Sequence, residues 1–536
     1  MKKIYLLTTI AIFALAVAGC KKGFLSQENN PNAPSTNLAS PQNVLSGAEE
    51  VTATYEAGSQ YLYCEYWVGY FAPSGSYVPS TAYTTYNFTN TSFSAFGIYS
   101  NISNYNFLLT QAAANPAYAN FGAIAKIMIA YDYQMLVDNY GDVPYSQALN
   151  SSKYLFPAYD KGQAIYDDLL KQLDAAIATI AASSGATNPG SSDIIFGGNM
   201  NNWKKFANTL KLRIAVRQSN LTANFASLHT ELDQNTANYL DDTQGAYAQP
   251  GYINNDANGG QQNPFWKLWG TTAAGATEPY QLQTVANQFF VNFLVNLNDT
   301  SRLKRFYAPT ALKTDPAGSV HPNNVAHIVG NVLGAETTNQ TNALTSAIGP
   351  GMIQSPTQPM PIIQGAEACF LLSEAIADGL ITGTVSGGAG TAQDYYQRGI
   401  VSSFNVLGTP ANSTGTATQQ AVAYYSQPSV AWPTSSFAAQ QKAIITQKYI
   451  ANFGYGAFES FNEYRRTGYP LLNQQPGVNG QTARSVEPGA LGTGPVVSRI
   501  FFPSTEFNTN AAAVGAEPAV NVFGSLIFWM TTYYTR

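Results

Sequence analysis

Charge is scarce in this chain. Only 11 % of its 536 residues are Asp, Glu, Lys or Arg, against about 25 % in ordinary soluble domains. The net charge is −5, and no basic cluster is present to neutralise phosphates, so nucleic acid is excluded as a partner. Three His and three Cys leave little material for a metal centre, and neither a metal nor a cofactor is expected. His321 and His327 lie six apart in a polar stretch, a poor ligand spacing. There is no phosphate-cradling Gly-rich loop ending in Gly-Lys-Ser/Thr, no His-Glu-x-x-His and no Gly-x-Ser-x-Gly. Asp167 and Asp168 are adjacent, so on a helix they point about 100° apart and read as a solvated face. Asn254-Asn255-Asp256-Ala257-Asn258-Gly259 resembles the start of a calcium loop, but its twelfth position is Phe265 where a bidentate Glu is required. Past the first twenty residues, no apolar run reaches the length of a membrane span.

What is present begins at the N-terminus. Lys2 and Lys3 precede an apolar run from Ile4 to Val17, which ends in Leu15-Ala16-Val17-Ala18-Gly19-Cys20. This is a secretory signal, and the small residues before Cys20 match a lipoprotein cleavage site. Residues 1–19 are expected to be removed and Cys20 to carry the lipid. Several acyl chains on one residue give a lasting anchor, since each buried methylene contributes about 0.8 kcal/mol. The Asn/Pro/Ser/Gln-rich residues 20–43 read as a tether, and 44–536 as a single domain. The remaining cysteines, Cys64 and Cys369, sit in apolar contexts. Export permits a disulfide between them, but two buried thiols are the favoured reading.

Periodicity predicts helices. Phe121, Ile124, Ile127, Met128, Tyr131 and Met135 share one face of a helix over 119–137, stopped near Gly141 and Pro144. Ile165, Leu169, Leu173, Ile177 and Ile180 stripe a second over 160–181, with Asp160 as its cap. A third covers 202–218, capped by Asn202, with Arg213 and Arg217 in its last turns, where cations suit the dipole. Further helices fit 284–297, 364–378, 391–407 and 437–453. Alternating strands are hard to find, so the fold class is mainly α, built of helix pairs. Long segments between them (68–100, 182–200, 240–282, 308–360, 408–436 and 471–520) read as loops. Loops of such length are usually functional or disordered, and their aromatic content argues for function.

Aromatic residues make up 13 % of the chain, with 34 Tyr. Many fall in 61–88 and 247–269, interleaved with Asn and Gln. A sugar ring has apolar C–H faces and a rim of hydroxyls. Flat rings cover the faces, and amides bond the rim without bringing charge. Core or interface packing is the competing role for any single ring. On composition alone, the candidate ligand-binding residues are Trp67, Tyr77, Tyr83, Tyr252, Trp266 and Trp269.

Several motifs occur in a telling order. Phe24-Leu25 and Asn30-Pro31-Asn32 follow Cys20. Asp138-Asn139-Tyr140-Gly141-Asp142-Val143-Pro144-Tyr145 comes next, then Trp203-Lys204-Lys205-Phe206 with Leu210-Lys211-Leu212-Arg213. Phe370-Leu371-Leu372-Ser373-Glu374-Ala375, Tyr395-Tyr396-Gln397-Arg398-Gly399 and Glu463-Tyr464-Arg465-Arg466-Thr467-Gly468-Tyr469-Pro470 follow, and Arg499-Ile500-Phe501-Phe502-Pro503 closes the set. In this the chain resembles the SusD/RagB-type lipoproteins of the Bacteroidetes, in their SusD-like branch. The resemblance implies a SusD-like fold of tetratricopeptide-like helix pairs with long ligand-binding loops, and no catalysis. It implies a lipid-anchored outer-membrane protein, facing the cell exterior, that binds glycans and delivers them to a SusC-like TonB-dependent transporter. The alternatives are a surface glycoside hydrolase and a transporter lid for peptide or protein nutrients. The motif residues are expected to be scaffold: Arg465 and Arg466 in ion pairs, Asp142 holding a turn.

Overall fold

The structure is a computed structural model that describes residues 39–58, 61–77, 80–233, 238–310, 327–335, 344–382, 390–412, 415–474, 480–492, 494 and 496–531. Residues 1–19, Cys20, the tether up to residue 38 and His321 lie outside the described residues. Twelve described helices have nine residues or more: α1 (Pro41–Glu56), α2 (Ile98–Ala114), α3 (Ala119–Tyr140), α4 (Gly162–Ala182), α5 (Met200–Gln218), α6 (Thr222–Asp233), α7 (Gln288–Asn296), α8 (Gly365–Ala377), α9 (Ala392–Val406), α10 (Ala417–Tyr425), α11 (Phe437–Ala451) and α12 (Ala457–Thr467). Six short strands pair antiparallel: β1 (Phe71–Pro73) with β5 (Thr284–Ala286), β2 (Val143–Pro144) with β3 (Tyr159–Asp160), and β4 (Ala246–Ala248) with β6 (Met360–Ile363).

The helices pack in chain order. α1 lies on α2, α2 on α3, α3 on α4 and α4 on α5; in a second run α8 packs on α9, α9 on α10, and α11 on both α8 and α9. α5 packs against α8 and joins the two runs. The mainly helical fold read from periodicity is thus the observed one. The helix starts differ in detail. α1 begins at Pro41 behind the Ser40 cap, whose hydroxyl accepts from Asn43 N, so order starts before the expected end of the tether at 43. Lys161, not Asp160, stands at the start of α4. Asp160 instead accepts from the N–H groups of Tyr145 and Ser146 and fastens the β2–β3 turn. α5 is capped by Asn199, which accepts from Asn201 and Asn202 N, because the chain turns one step earlier at Gly197 and Gly198, both at positive φ.

The Asp138–Tyr145 motif works as a joint. α3 ends at Gly141, whose φ of 76° an L side chain rarely adopts. Asp142 then accepts from Gly162 N at 2.9 Å and pairs with Lys161 at 2.5 Å, holding the start of α4 against the end of α3. Cys64 and Cys369 are both buried free thiols. Asp167 is exposed on α4, whereas the Asp168 carboxylate accepts from the Tyr145 hydroxyl at 2.6 Å.

Many of the few charges are internal. Arg466 donates to both oxygens of Glu374 at 2.8 Å and to Glu463. Lys448 pairs with Glu463 at 2.7 Å, and Arg217 with Glu459 at 2.5 Å. Arg213 bonds Gln134 and faces Glu367. The dipole role expected for Arg213 and Arg217 gives way to this network, because that face of α5 is covered by α8 and α12. Arg465 differs from its neighbour. It makes no described ion pair and donates to the carbonyls of Ser498 and Asp138 while lying over the Phe461 ring. Burial pushes its guanidinium down to about 10, against the pull of Asp138.

Candidate functional site

The sheet pair β1–β5 carries the aromatic loops. Beyond β1 the chain turns at Ser74, whose N–H donates to Gln283 O, and Tyr77 N closes the turn on Ser74 O. Tyr77 is 40 % exposed. The short helix Thr81–Thr85 follows and presents Tyr83, half-buried, with its ring 4.9 Å from that of Tyr66. Across the sheet, the short helix Pro279–Gln283 presents Tyr280 before β5. Tyr280 is half-buried, and its ring meets Trp269 edge-on at 5.7 Å. Burial, and then the neighbouring phenol of Tyr280, raise Tyr83; Tyr66 is raised by burial and by both of those neighbours. Three phenols therefore converge here, each keeping its proton at neutral pH.

Below them stands a column of rings. Trp269 stacks on Phe71 at 4.7 Å and on Phe265 at 5.9 Å. Trp67 is wholly buried, with its indole N–H donating to Tyr83 O at 3.1 Å. Three of the six candidate rings, Trp67, Trp269 and Tyr252, are buried. Trp67 and Trp269 hold Tyr83 and Tyr280 in place rather than offering a free ring face. Tyr252 is buried as well; its hydroxyl donates to Glu50 at 2.9 Å, so it staples the 250s loop to α1.

Trp266 stays half-exposed. Its indole N–H donates to Thr271 O at 2.8 Å, and Gly270 lies flat against the ring, where any Cβ would come within 2.6 Å of it. The amides expected to meet a sugar rim are partly spent on this loop. Gln262 donates to Asn254 and Thr271, and Asn263 donates to Gln358 O while accepting from Trp266 N. Asp256 accepts from Ala273 N through both oxygens. Asn254 and Asp256 are thereby committed to the loop, and among the described residues no cluster of three His, Cys, Asp or Glu suits a metal. Glu278, on the same face, is raised by burial and by Asp256. The structure thus leaves Tyr77, Tyr83 and Trp266 with accessible rings on the loops around β1–β5 and adds Tyr280, a neighbour of Tyr83, which the composition argument missed. Its signal was weak: one Tyr behind a Pro, outside the aromatic-dense windows.

Phenol hydroxyls at the rim and partly exposed rings on a rigid base can lie against apolar C–H faces and bond hydroxyls. That is the chemistry of an uncharged, ring-shaped ligand. It stands on a fold with recognised relatives. A family model described as SusD-like, starch-binding and associating with the outer membrane, matches residues 31–489. The chain belongs to this SusD-like family. Among solved structures it is similar to a SusD homologue from Bacteroides fragilis (23 % identity, TM-score 0.68, covering 92 % of this chain and 99 % of that one). It is also similar to a chitin-binding SusD homologue from Flavobacterium johnsoniae (21 %, 0.67, 90 % and 98 %), and to a chitin-binding protein (23 %, 0.66, 92 % and 100 %). At these identities the likeness is one of fold. No curated protein sequence matches the chain.

Proposed function

We propose that this protein is a non-enzymatic, outer-membrane lipoprotein, anchored through Cys20, that binds a neutral glycan at the Tyr77/Tyr83/Trp266/Tyr280 face. It hands the glycan to a SusC-like TonB-dependent transporter. The observation that carries the reading is the pairing of accessible rings with a wholly packed aromatic base: the rings are ordered before a ligand arrives, so little side-chain entropy is lost on binding. Membership of the SusD-like family and the chitin-binding relatives support the ligand class. Among the described residues no helix is long and apolar enough to cross a membrane, which fits attachment through a lipid.

An exposed patch supports the partner. Leu155 is 71 % and Phe156 61 % exposed, side by side on the loop after β2. Asn510 donates to Pro157 O, which brings the short helix Ser504–Thr509 with its exposed Phe507 beside them. Contiguous exposed apolar residues mark interaction surfaces. The glycosidase alternative needs a free carboxylate pair across the sugar; on this face Asp256 is bonded to Ala273 N through both oxygens.

Isothermal titration against starch and chitin oligosaccharides tests the reading. Binding is expected at micromolar Kd or weaker, since association costs several kcal/mol before any surplus appears. Trp266→Ala and Tyr280→Ala should each weaken it about tenfold or more. Product analysis of the same mixtures should show no shortened chains; turnover by the purified protein overturns the binding-only assignment.

A further inference from the structure

A second cleft lies on the helical side of the molecule, between α9, α11, the loop 428–435 and the segment 470–474. We infer that it is a second saccharide-binding site, with Trp432 as its platform. The ligand class rests on the glycan-binding reading above; the location does not.

The cleft has a volume of about 700 Å³, within the range of small-molecule sites. Trp432 is half-exposed at its wall, its ring 5.4 Å from that of Tyr396. Its loop is fixed from several directions. The Tyr396 hydroxyl donates to Val430 O at 2.6 Å, Val430 and Ala431 N both donate to Gln427 O, and the Gln440 amide donates to Pro433 O. The ring is therefore positioned without a ligand. Its N–H is unspent. The indoles of Trp67, Trp203, Trp266 and Trp529 each donate to a protein oxygen; those of Trp269 and Trp432 have no hydrogen-bond partner among the described residues, and of the two Trp269 is buried while Trp432 lines the cleft.

The lining selects the ligand. Ala439 and Ala443 stand one turn apart on α11 and leave a shallow floor beside the indole. Ser429, Thr434, Ser435 and Thr446 bring hydroxyls, and Gln474 an amide. Lys442 is the single charged residue in the lining, and no carboxylate faces it there. A cationic peptide finds no counter-charge in this cleft, and an extended peptide finds no free strand edge to pair with. A sugar finds a flat ring, a free N–H and uncharged hydroxyls. With the loop-face site, the cleft lets one long chain engage at two points and raises its retention by effective concentration.

The full-length protein labelled with 5-fluorotryptophan gives one fluorine resonance for each of its six Trp residues, assignable through single Trp→Phe variants. The probes are chitohexaose, maltoheptaose, cellohexaose and xylohexaose, with tetra-alanine as the peptide control. A saturable shift of the Trp432 resonance is expected with at least one saccharide, and it should persist when Trp266→Ala and Tyr280→Ala are combined. Trp432→Ala should cut retention on a gel of the matching polysaccharide by about threefold or more, and Trp432→Phe, which keeps a ring but loses the N–H, should restore it only in part. If Trp266 responds to a sugar and Trp432 does not, the second site is overturned and the loop-face reading stands. If neither responds, both fall. A Trp432 shift with tetra-alanine alone overturns the saccharide assignment.

Discussion

The helical core and the loop face spend their side chains in opposite ways. Where α5, α8, α11 and α12 meet, Arg217, Arg466, Lys448, Glu374, Glu459 and Glu463 are buried and paired with one another. On the loop face, Tyr77, Tyr83, Trp266 and Tyr280 reach solvent over a base of buried rings. The difference explains the composition. The chain has few charges, and it uses many of them inside, where each must be matched and each match ties two helices together. The surface left for a ligand is more neutral than the sequence total suggests. Charge specifies the scaffold here, and uncharged rings serve recognition.

That contrast breaks first at Arg466. Its guanidinium satisfies both oxygens of Glu374 and also Glu463. Arg466→Met leaves the Glu374 carboxylate buried without its cation and leaves Glu463 to Lys448, at a cost of about 3–5 kcal/mol. Tyr77→Ala on the loop face should cost less than about 0.5 kcal/mol, as at most exposed positions. Urea unfolding of both variants measures the gap. Equal losses would mean that the two regions do not divide labour in this way.

The exposed loop at Leu155 and Phe156 sharpens the comparison from outside. Burying two such side chains against a partner contributes about 1.5–3 kcal/mol each. Leu155→Asp with Phe156→Asp should therefore abolish co-purification with a TonB-dependent barrel from detergent extracts. Glycan affinity should be unchanged, because the substituted loop joins β2 to β3 and not the β1–β5 pair. A variant that still recovers the barrel places the contact elsewhere.

How legible was this in the sequence? The helices with regular apolar stripes were. α3, α4 and α8 appear within a few residues of where Phe121–Met135, Ile165–Ile180 and the 364–378 segment put them. α1, α2, α6 and α12 were not read as helices. α12 is Ala-Phe-Glu-Ser-Phe-Asn-Glu-Tyr-Arg-Arg-Thr; it is buried all round, and its ion-paired Glu459, Glu463 and Arg466 are residues that a hydrophobic pattern counts as solvent-facing. α10 was hidden in the expected loop 408–436, although its capping box of Thr416 and Gln419 was there to be seen. Among the rings, composition alone has no term for depth. Trp67 and Trp266 look alike in sequence, and only the packing of the short helix Leu62–Trp67 against α12 puts one inside.

The smallest effect is also the most diagnostic of how the core handles charge. A cavity of about 30 Å³, room for about one or two waters, is lined by Glu56, Tyr131, Arg213, Glu367 and Glu459. Burial pushes Glu56 up to about 8, with only partial relief from Tyr131 and Arg213. Glu459 is also pushed up by burial, but Arg217, Arg213 and Lys448 outweigh this and hold it down at about 2. The two carboxyls therefore give opposite pH dependences. Glu459 contributes stability above its unfolded pKa, and this is lost as the pH falls towards 2. Glu56 is bound as the neutral acid, so its contribution is complete below about 4.5 and is lost as the pH rises through about 8. Glu56→Gln keeps a neutral group of the same shape and removes that loss. The melting temperature of Glu56→Gln relative to the wild type should accordingly rise from pH 5 to pH 8.5. Glu459→Gln should lower it throughout that range, because Arg217 loses its closest partner. A Glu56→Gln difference that is flat with pH would mean that this carboxyl ionises normally and that the cavity admits its charge.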